Sequence, residues 1–466
     1  LVYLLMLSSC QKEESEPINA SNGTLTIGME CGYAPYNWTQ DNDENDAIAI
    51  DGGQYCAGYD VDMAQKIADD LNKDLIIRKI SWEGLILSLQ SHEIDAIIAG
   101  MSPTAERKKE VDFTSIYYID PNLSFGIITQ KGSSYDQAKT VFDFDKAKVA
   151  AQIGTFHMEL LDQMPGITKA SNFKDFPSMT IALQAGELDA FVTDYPTGAS
   201  ITDSNQDLVY IPLNGKEGFQ ISDEMAGVSI AVAKDRPEMK KEIEESLAKI
   251  PQKERNKMMD KALSYMQSED LPFWKQVKSI FVKNKTAFFK GTMNTIMIAF
   301  LATFFGFLIG LLVVLGQNNP ILNAIGKVYV LVFRATPMMV QSILFYYGMS
   351  FMIEGFTWSQ IPYGNFLAAI IIVSINTGAY MSETLRAGIQ SVDKGQFEAA
   401  KSLGMNHRDT MRFIIFPQAI VHIIPAIGNE FIVNLKDTSV LNIISVTELF
   451  FVSNGIASST YQIFQT

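Results

Sequence analysis

The chain has 466 residues, enough for two or three domains with sizeable cores, and carries 37 Lys and Arg against 52 Asp and Glu. The resulting net charge of −15 excludes a general affinity for nucleic acid. Four scattered histidines and three cysteines form no metal motif, so neither a metal nor another cofactor is expected. Up to about Lys285 the composition is polar and acidic; beyond it long uncharged runs dominate. That contrast reads as a soluble domain joined to a membrane domain.

The first residues, LVYLLMLSSC, form a short apolar run whose end, Leu7-Ser8-Ser9-Cys10, resembles a lipobox. Cys10 is then the expected lipidation position, and residues 1–23 a signal and tether. No basic stretch precedes the run and the first residue is Leu, so the sequence is read as truncated at its start. A cut-off transmembrane helix is the alternative, but the polar QKEESEP that follows suits a tether better.

Thr24–Met29 alternates as a strand and is followed by Glu30-Cys31-Gly32-Tyr33-Ala34-Pro35-Tyr36-Asn37-Trp38. An acidic insert, Asp41 to Gly53, is expected to be a loop. Gly58-Tyr59-Asp60-Val61-Asp62-Met63-Ala64 opens a helix running through Leu71, with Asp60 as its cap. Strand Leu75–Ile80, helix Trp82–Gln90, strand Ile94–Ala99 and the segment GMSPTAER follow. Such alternation indicates α/β layers with a largely parallel sheet.

The Gly-Tyr-Asp-Val-Asp-Met-Ala run, the Gly-Met-Ser-Pro-Thr-Ala-Glu-Arg run and Val111-Asp112-Phe113 resemble the polar amino-acid-binding proteins of ABC importers. The similarity extends from about Leu25 to Gln267, within a domain placed at 24–270. It implies a two-lobed, type II periplasmic-binding-protein-like fold that closes over one amino acid. The crossovers between lobes would fall near Tyr117–Leu123 and Ile221–Val228.

A free amino acid presents a carboxylate and an ammonium, and each needs a partner once water is excluded. Arg107 can clamp the carboxylate with two parallel N–H bonds, a geometry lysine lacks. The hydroxyls of Ser102 and Thr104 and backbone N–H groups around Gly100 would add donors. Thr155, in Gly154-Thr155-Phe156 after the strand Lys148–Gln152, would bring donors from the second lobe. Asp194 matches the family carboxylate for the ammonium. Tyr33 and Trp82 are candidate aromatic walls, as is Tyr36, although Tyr36 and Trp38 also suit a core or rim. Glu30 and Gln152 would set side-chain selectivity, with Glu30 favouring a cationic or amide ligand: a basic amino acid or glutamine. Pairing of Cys31 with Cys56 is left open, two buried thiols being the alternative.

The stretch 271–290 contains the cationic run KQVKSIFVKNKTAFFK and is read as a linker; the transmembrane permease domain is placed at 291–466. Spans are expected at Gly291–Leu315, Leu322–Ile353, Phe366–Leu385 and Gln418–Leu435. The second carries Arg334-Ala335-Thr336-Pro337, similar to an Arg-Gly-Thr-Pro segment of amino-acid permeases. Asn429-Glu430-Phe431 and Leu435-Lys436-Asp437-Thr438-Ser439 resemble that family as well. A fifth span would follow Ile444–Glu448, and the sequence stops at Thr466 as it should begin. Glu430, about 18 Å inside its span by helix rise, is a candidate for the translocation path, or else a structural pair within the bundle.

Between the third and fourth spans lies Phe397–Pro417, FEAAKSLGMNHRDTMRFIIFP, which reads as a helix from Glu398 to Leu403, a break at Gly404, and a second helix ending before Pro417. Arg386, Lys394, Lys401, Arg408 and Arg412 lie close by, which places the stretch on the cytoplasmic side. Glu398-Ala399-Ala400, Gly404, Ile415 and Pro417 in this register resemble the EAA loop of ABC importer permeases, which docks on a separate ATPase.

Together the two resemblances imply a fused receptor–permease subunit in a bacterial plasma membrane, a transporter component and not an enzyme. Its expected partners are a polar amino acid, a dimer of ABC ATPase subunits and a second permease copy in a homodimer. A ligand-gated ion channel with a glutamate-receptor-like ligand domain is the competing class, but no TVGYG-type filter is present and an EAA loop has no role there. Periplasmic dehydratases share the binding fold, but need an acid poised over substrate.

Overall fold

The computed structural model describes residues 23–51, 53–120, 125–170, 173–221, 226–265, 272–353, 355–461 and 466. Cys10, almost all of the expected tether, residues 121–123 of the first expected crossover and 222–225 of the second lie outside the described residues. Fourteen strands are seen among the described residues: β1 Thr24–Met29, β2 Gly32–Tyr33, β3 Asn37–Gln40, β4 Ile48–Ile50, β5 Gln54–Ala57, β6 Asp74–Lys79, β7 Ala96–Ile97, β8 Asp112–Ile119, β9 Phe125–Gln130, β10 Lys148–Ala150, β11 Thr168–Ala170, β12 Ala190–Asp194, β13 Leu208–Pro212 and β14 Gly227–Val232.

They build two five-stranded sheets, one per lobe, ordered β6-β1-β7-β14-β8 and β11-β10-β12-β9-β13. In each sheet four strands share a direction and one opposes them: β14 in the first and β9 in the second. The two opposed strands are those that enter each sheet directly after the chain changes lobe. Lobe one therefore holds residues up to β8 and again from β14, and lobe two holds β9 to β13. Close approach sets the first sheet's packing: a Cβ on Gly28 would lie 2.4 Å from Ile94 Cδ1.

The insert expected to be a loop contributes a strand instead. Ile48-Ala49-Ile50 pairs with β5 in a small sheet ordered β2-β3-β5-β4, because Ile50 can bury its side chain there. Asp60 differs from expectation too. Gly58 occupies the cap, and Asp60, the second residue of the helix, is fully buried, accepting from Asn37 Nδ2 (2.8 Å) and the Tyr117 hydroxyl (2.6 Å).

Cys31 and Cys56 form a disulfide, with Cα atoms 5.8 Å apart and both side chains fully buried. Closing a loop of 25 residues' separation restricts the unfolded chain by about 3 kcal/mol. Converting both cysteines to serine should lower the stability of the binding domain by roughly that amount, read as a lower denaturant midpoint of its unfolding transition.

The remaining chain is helical: α1 Phe273–Leu315, α2 Pro320–Ala335, α3 Met338–Met352, α4 Gly364–Gln390, α5 Lys394–Ser402, α6 Phe416–Asp437 and α7 Leu449–Thr460. Among the described residues three helical stretches are long and apolar enough to cross a membrane, and α2 with α3 form a further pair bent by 109°. The expected linker and first span are one unbroken helix of 43 residues, α1. The expected second span breaks at Thr336-Pro337, where proline disfavours helix in the residue before it. Gln341 Nε2 donates to the Phe333 and Thr336 carbonyls left at the break (2.9 and 3.0 Å), and Asn376 of α4 adds a bond to Phe333 O (3.2 Å).

Small residues let α1 and α4 approach. Gly306 and Gly310, four apart on α1, would carry Cβ atoms 2.6 Å from Thr377 Cγ2 and 2.8 Å from Met381 Cβ. Asn434 of α6 joins both helices by hydrogen bonds to Thr303 and Thr377, each 2.9 Å. The binding domain lies at the Gly364 end of α4 and α5 beyond its Gln390 end, roughly 40 Å away by helix rise.

Candidate functional site: the interlobe pocket and the α5 turn

Between the lobes lies a pocket of about 40 Å³. Its walls include Glu30, Tyr33, Trp82, Gly100, Ser102, Arg107, Gln152, Thr155 and Asp194. Thr104 is not among them; its hydroxyl accepts from Arg107 N at 3.3 Å and steadies the turn that carries the arginine.

Arg107 begins a one-turn helix after GMSPTAE and is buried. Its Nη1 donates to Ser102 O (2.9 Å) and its Nη2 to Gly154 O on lobe two (2.5 Å), while the guanidinium lies 5.0 Å from the Trp82 ring. Two of its five N–H groups are thus engaged by carbonyls. Opposite, Asp194 sits at the end of β12 with its side chain buried. Oδ1 accepts from the Tyr33 hydroxyl (3.1 Å), whereas the buried Oδ2 has no hydrogen-bond partner among the described residues. Burial raises this carboxyl above the usual aspartate range. A buried carboxylate oxygen without a donor is costly and is suited to a cation.

Tyr33 stacks on Tyr36 (4.9 Å) and on Phe176 of lobe two (5.7 Å), so its ring and hydroxyl both bridge the lobes. Gly100 has φ +60°, and a Cβ there would meet the Tyr33 ring at 2.6 Å. Gly100 N donates to the Tyr117 hydroxyl (3.1 Å). Gln152 Nε2 is held by Lys174 O (2.9 Å), and the Thr155 hydroxyl donates to Gln152 O (2.6 Å). Glu30 keeps partial exposure; burial, then Asp175 and Glu83, push its carboxyl up to about 8 against the pull of Lys79.

His157 and Phe125 also line the pocket, and sequence reasoning missed both. Burial, then Arg107, push the imidazole down to about 3, so it stays neutral at physiological pH. The signal available was its place directly after Gly154-Thr155-Phe156. Trp38 packs against Tyr265 outside the pocket, while Tyr36 lines it.

At the far end of α4, Asp393 caps α5, its side chain accepting from Gly395 N (2.6 Å). Glu398, Ala399 and Gly404 are exposed and Ala400 is buried; Leu403 is 82% exposed. Gly404 has φ +79° and closes the helix, with Gly404 N to Lys401 O (2.9 Å) and Met405 N to Ala400 O (3.1 Å). The second helix does not end before Pro417. It passes through a π turn at Thr410–Ile415 and continues as α6, the wider turn relieving the proline ring against the turn before it. Glu430 is half-buried on α6 and forms no ion pair among the described residues. It lines neither the cavity of about 720 Å³ between lobe one and the helices nor that of about 870 Å³ beside Arg334 and Glu383. Glu383 itself pairs with Arg386.

Residues 25–264 match the model of bacterial extracellular solute-binding proteins, family 3, and residues 302–462 that of binding-protein-dependent transport system inner membrane components. A nopaline transport system permease protein of Agrobacterium fabrum is 38% identical over 174 residues, covering 36% of this chain and 72% of that protein. A Campylobacter jejuni protein named "Probable histidine-binding protein" is 31% identical over 224 residues, covering 47% of this chain and 80% of that one. An arginine-bound substrate-binding protein of an amino acid ABC transporter from Streptococcus pneumoniae superposes with TM-score 0.45 at 24% identity, over 53% of this chain and 97% of that one. With a receptor fold and a permease bundle in one polypeptide, the chain belongs to the family 3 extracellular solute-binding proteins and, through its helical part, to the inner membrane components of binding-protein-dependent transport systems.

Proposed function

We propose that the chain is the receptor–permease subunit of an ABC importer that takes up a polar amino acid, glutamine or a basic one, at the cost of ATP hydrolysed by a separate subunit. The observation that carries this reading is the pairing of chemistries in one small pocket: the Arg107 guanidinium on one side and the unpartnered Asp194 Oδ2 on the other. They complement the carboxylate and ammonium shared by all amino acids. The family matches support the transport role, and relatives named for nopaline and histidine accord with a polar ligand. The Lys- and Arg-rich surroundings of α5 favour a cytoplasmic position, which puts the binding domain outside a bacterial plasma membrane. One exposed α5 turn per chain and two ATP sites per motor imply a homodimer, or a heterodimer with a related permease, with Glu398, Ala399, Ala400 and Gly404 at the ATPase. Glu430 remains our candidate for the translocation path, and Cys10 for lipidation.

Uptake of labelled arginine or glutamine into proteoliposomes holding this chain and its ATPase tests the reading; no ATP-dependent uptake of any polar amino acid would sink it. Glu30 distinguishes the two ligand classes. A cationic side chain beside it favours the ionised carboxylate, so arginine binding must expel the proton from a group held at about 8. Arginine affinity should therefore rise between pH 6 and pH 8, and glutamine affinity should stay level. Glu30→Gln should abolish that rise and cost arginine roughly tenfold, measured by calorimetry on the full chain.

A further inference from the structure

Glu93 has no place in the amino-acid pocket, yet it is only 7% exposed, and its carboxylate leaves lobe one altogether. Oε1 accepts from Trp358 N (2.7 Å) and the Ser350 hydroxyl (3.2 Å), and Oε2 accepts from Ser359 N (2.9 Å). These groups belong to the end of α3 and to the single 3₁₀ turn Trp358–Gln360 before α4. The residue preceding that turn, Thr357, makes no cap bond; its hydroxyl is shared with Ser359 Oγ (2.9 Å). With Trp358 buried, its leading N–H groups need an acceptor, and one from the other domain supplies it with full negative charge. Ser88 Oγ donates to the Tyr347 hydroxyl (3.2 Å), which donates to Ile443 O (2.9 Å), so lobe one is seated at two neighbouring points.

Lobe two meets the helical part differently. It touches the tip of α7, where Asn205 Nδ2 donates to Tyr461 O (3.2 Å), while the Tyr461 hydroxyl donates to Ala34 O of lobe one (3.1 Å). Opening the lobes must pull Asn205 from Tyr461 but need not disturb Glu93. Resting on the receptor–permease reading above, we propose that lobe one is the stationary lobe, latched to the permease by Glu93 through the transport cycle, and that lobe two swings and engages α7 only when the pocket is shut.

Hydrogen exchange of the full chain in lipid nanodiscs reads the latch directly, without relying on transport. The Trp358 and Ser359 amides should be protected equally with and without saturating arginine or glutamine. In Glu93→Ala they should exchange at least tenfold faster, and in Glu93→Gln, which keeps one acceptor oxygen, by an intermediate factor that carries the test should the alanine variant misfold. Ligand affinity should be unchanged in both variants. Protection that appears only with ligand, exchange that ignores Glu93, or altered affinity would each overturn the proposal.

Discussion

Arg107→Lys should weaken amino-acid binding by roughly 2–3 kcal/mol, about 30- to 150-fold in Kd. The charge survives, so the loss isolates geometry. In the present arrangement one planar group reaches Ser102 O, Gly154 O and the Trp82 face together, and Arg107 forms part of the pocket wall. A lysine ammonium has three donors at one point and cannot face a carboxylate with parallel bonds while also spanning the lobes. Calorimetry on the full-length variant gives the comparison, with circular dichroism as the folding control. An unchanged Kd would mean that the ligand sits elsewhere.

Gly404→Val should reduce uptake more than tenfold while leaving ligand affinity intact. Among the described residues, chain neighbours aside, no heavy atom lies within 4 Å of a Cβ built on Gly404, so the first carbon of a side chain meets no clash there. The cost is conformational: φ +79° is a region L-residues enter at about 1–2 kcal/mol, and a β-branched side chain is worst placed there. The two bonds that end α5 would be traded for a reshaped turn, moving exposed Leu403 and Glu398 from their present positions. Gly404→Ala should give a milder loss of the same kind. Normal uptake by the valine variant would remove this turn from the coupling surface.

Legibility from sequence tracked how local the cause was. The largely parallel sheets were readable because strand alternation acts over ten residues or fewer, whereas the two lobes and the pocket residues were implied by the resemblance that the GYDVDMA and GMSPTAER runs carry. The α5 turn was readable because φ above zero nearly demands glycine. Polarity misled at residues 275–290: lysines suggested a linker, yet they are compatible with an exposed helix face, and α1 runs straight through. Proline misled twice in opposite senses. Pro337 breaks an expected span, while Pro417 fails to end a helix because a π turn precedes it. His157 carried too little pattern to be noticed. Glu93 and Trp358 meet across 265 residues, and no window along the chain could have paired them.

The length of α1 has a kinetic consequence. At about 1.5 Å per residue its 43 residues extend roughly 65 Å, twice the ~30 Å of a hydrocarbon core, so the polypeptide that enters the bundle also carries the receptor. Receptor and permease therefore meet as neighbours and never as a bimolecular encounter. A covalent link of this kind replaces free diffusion with an effective local concentration in the millimolar range. A docking contact of only about 4 kcal/mol, too weak to hold two separate proteins at cellular abundance, then helps to keep lobe one seated. The contact that must come and go is that of lobe two with α7, and a weak contact there releases quickly, which suits lobes that must reopen after every delivery.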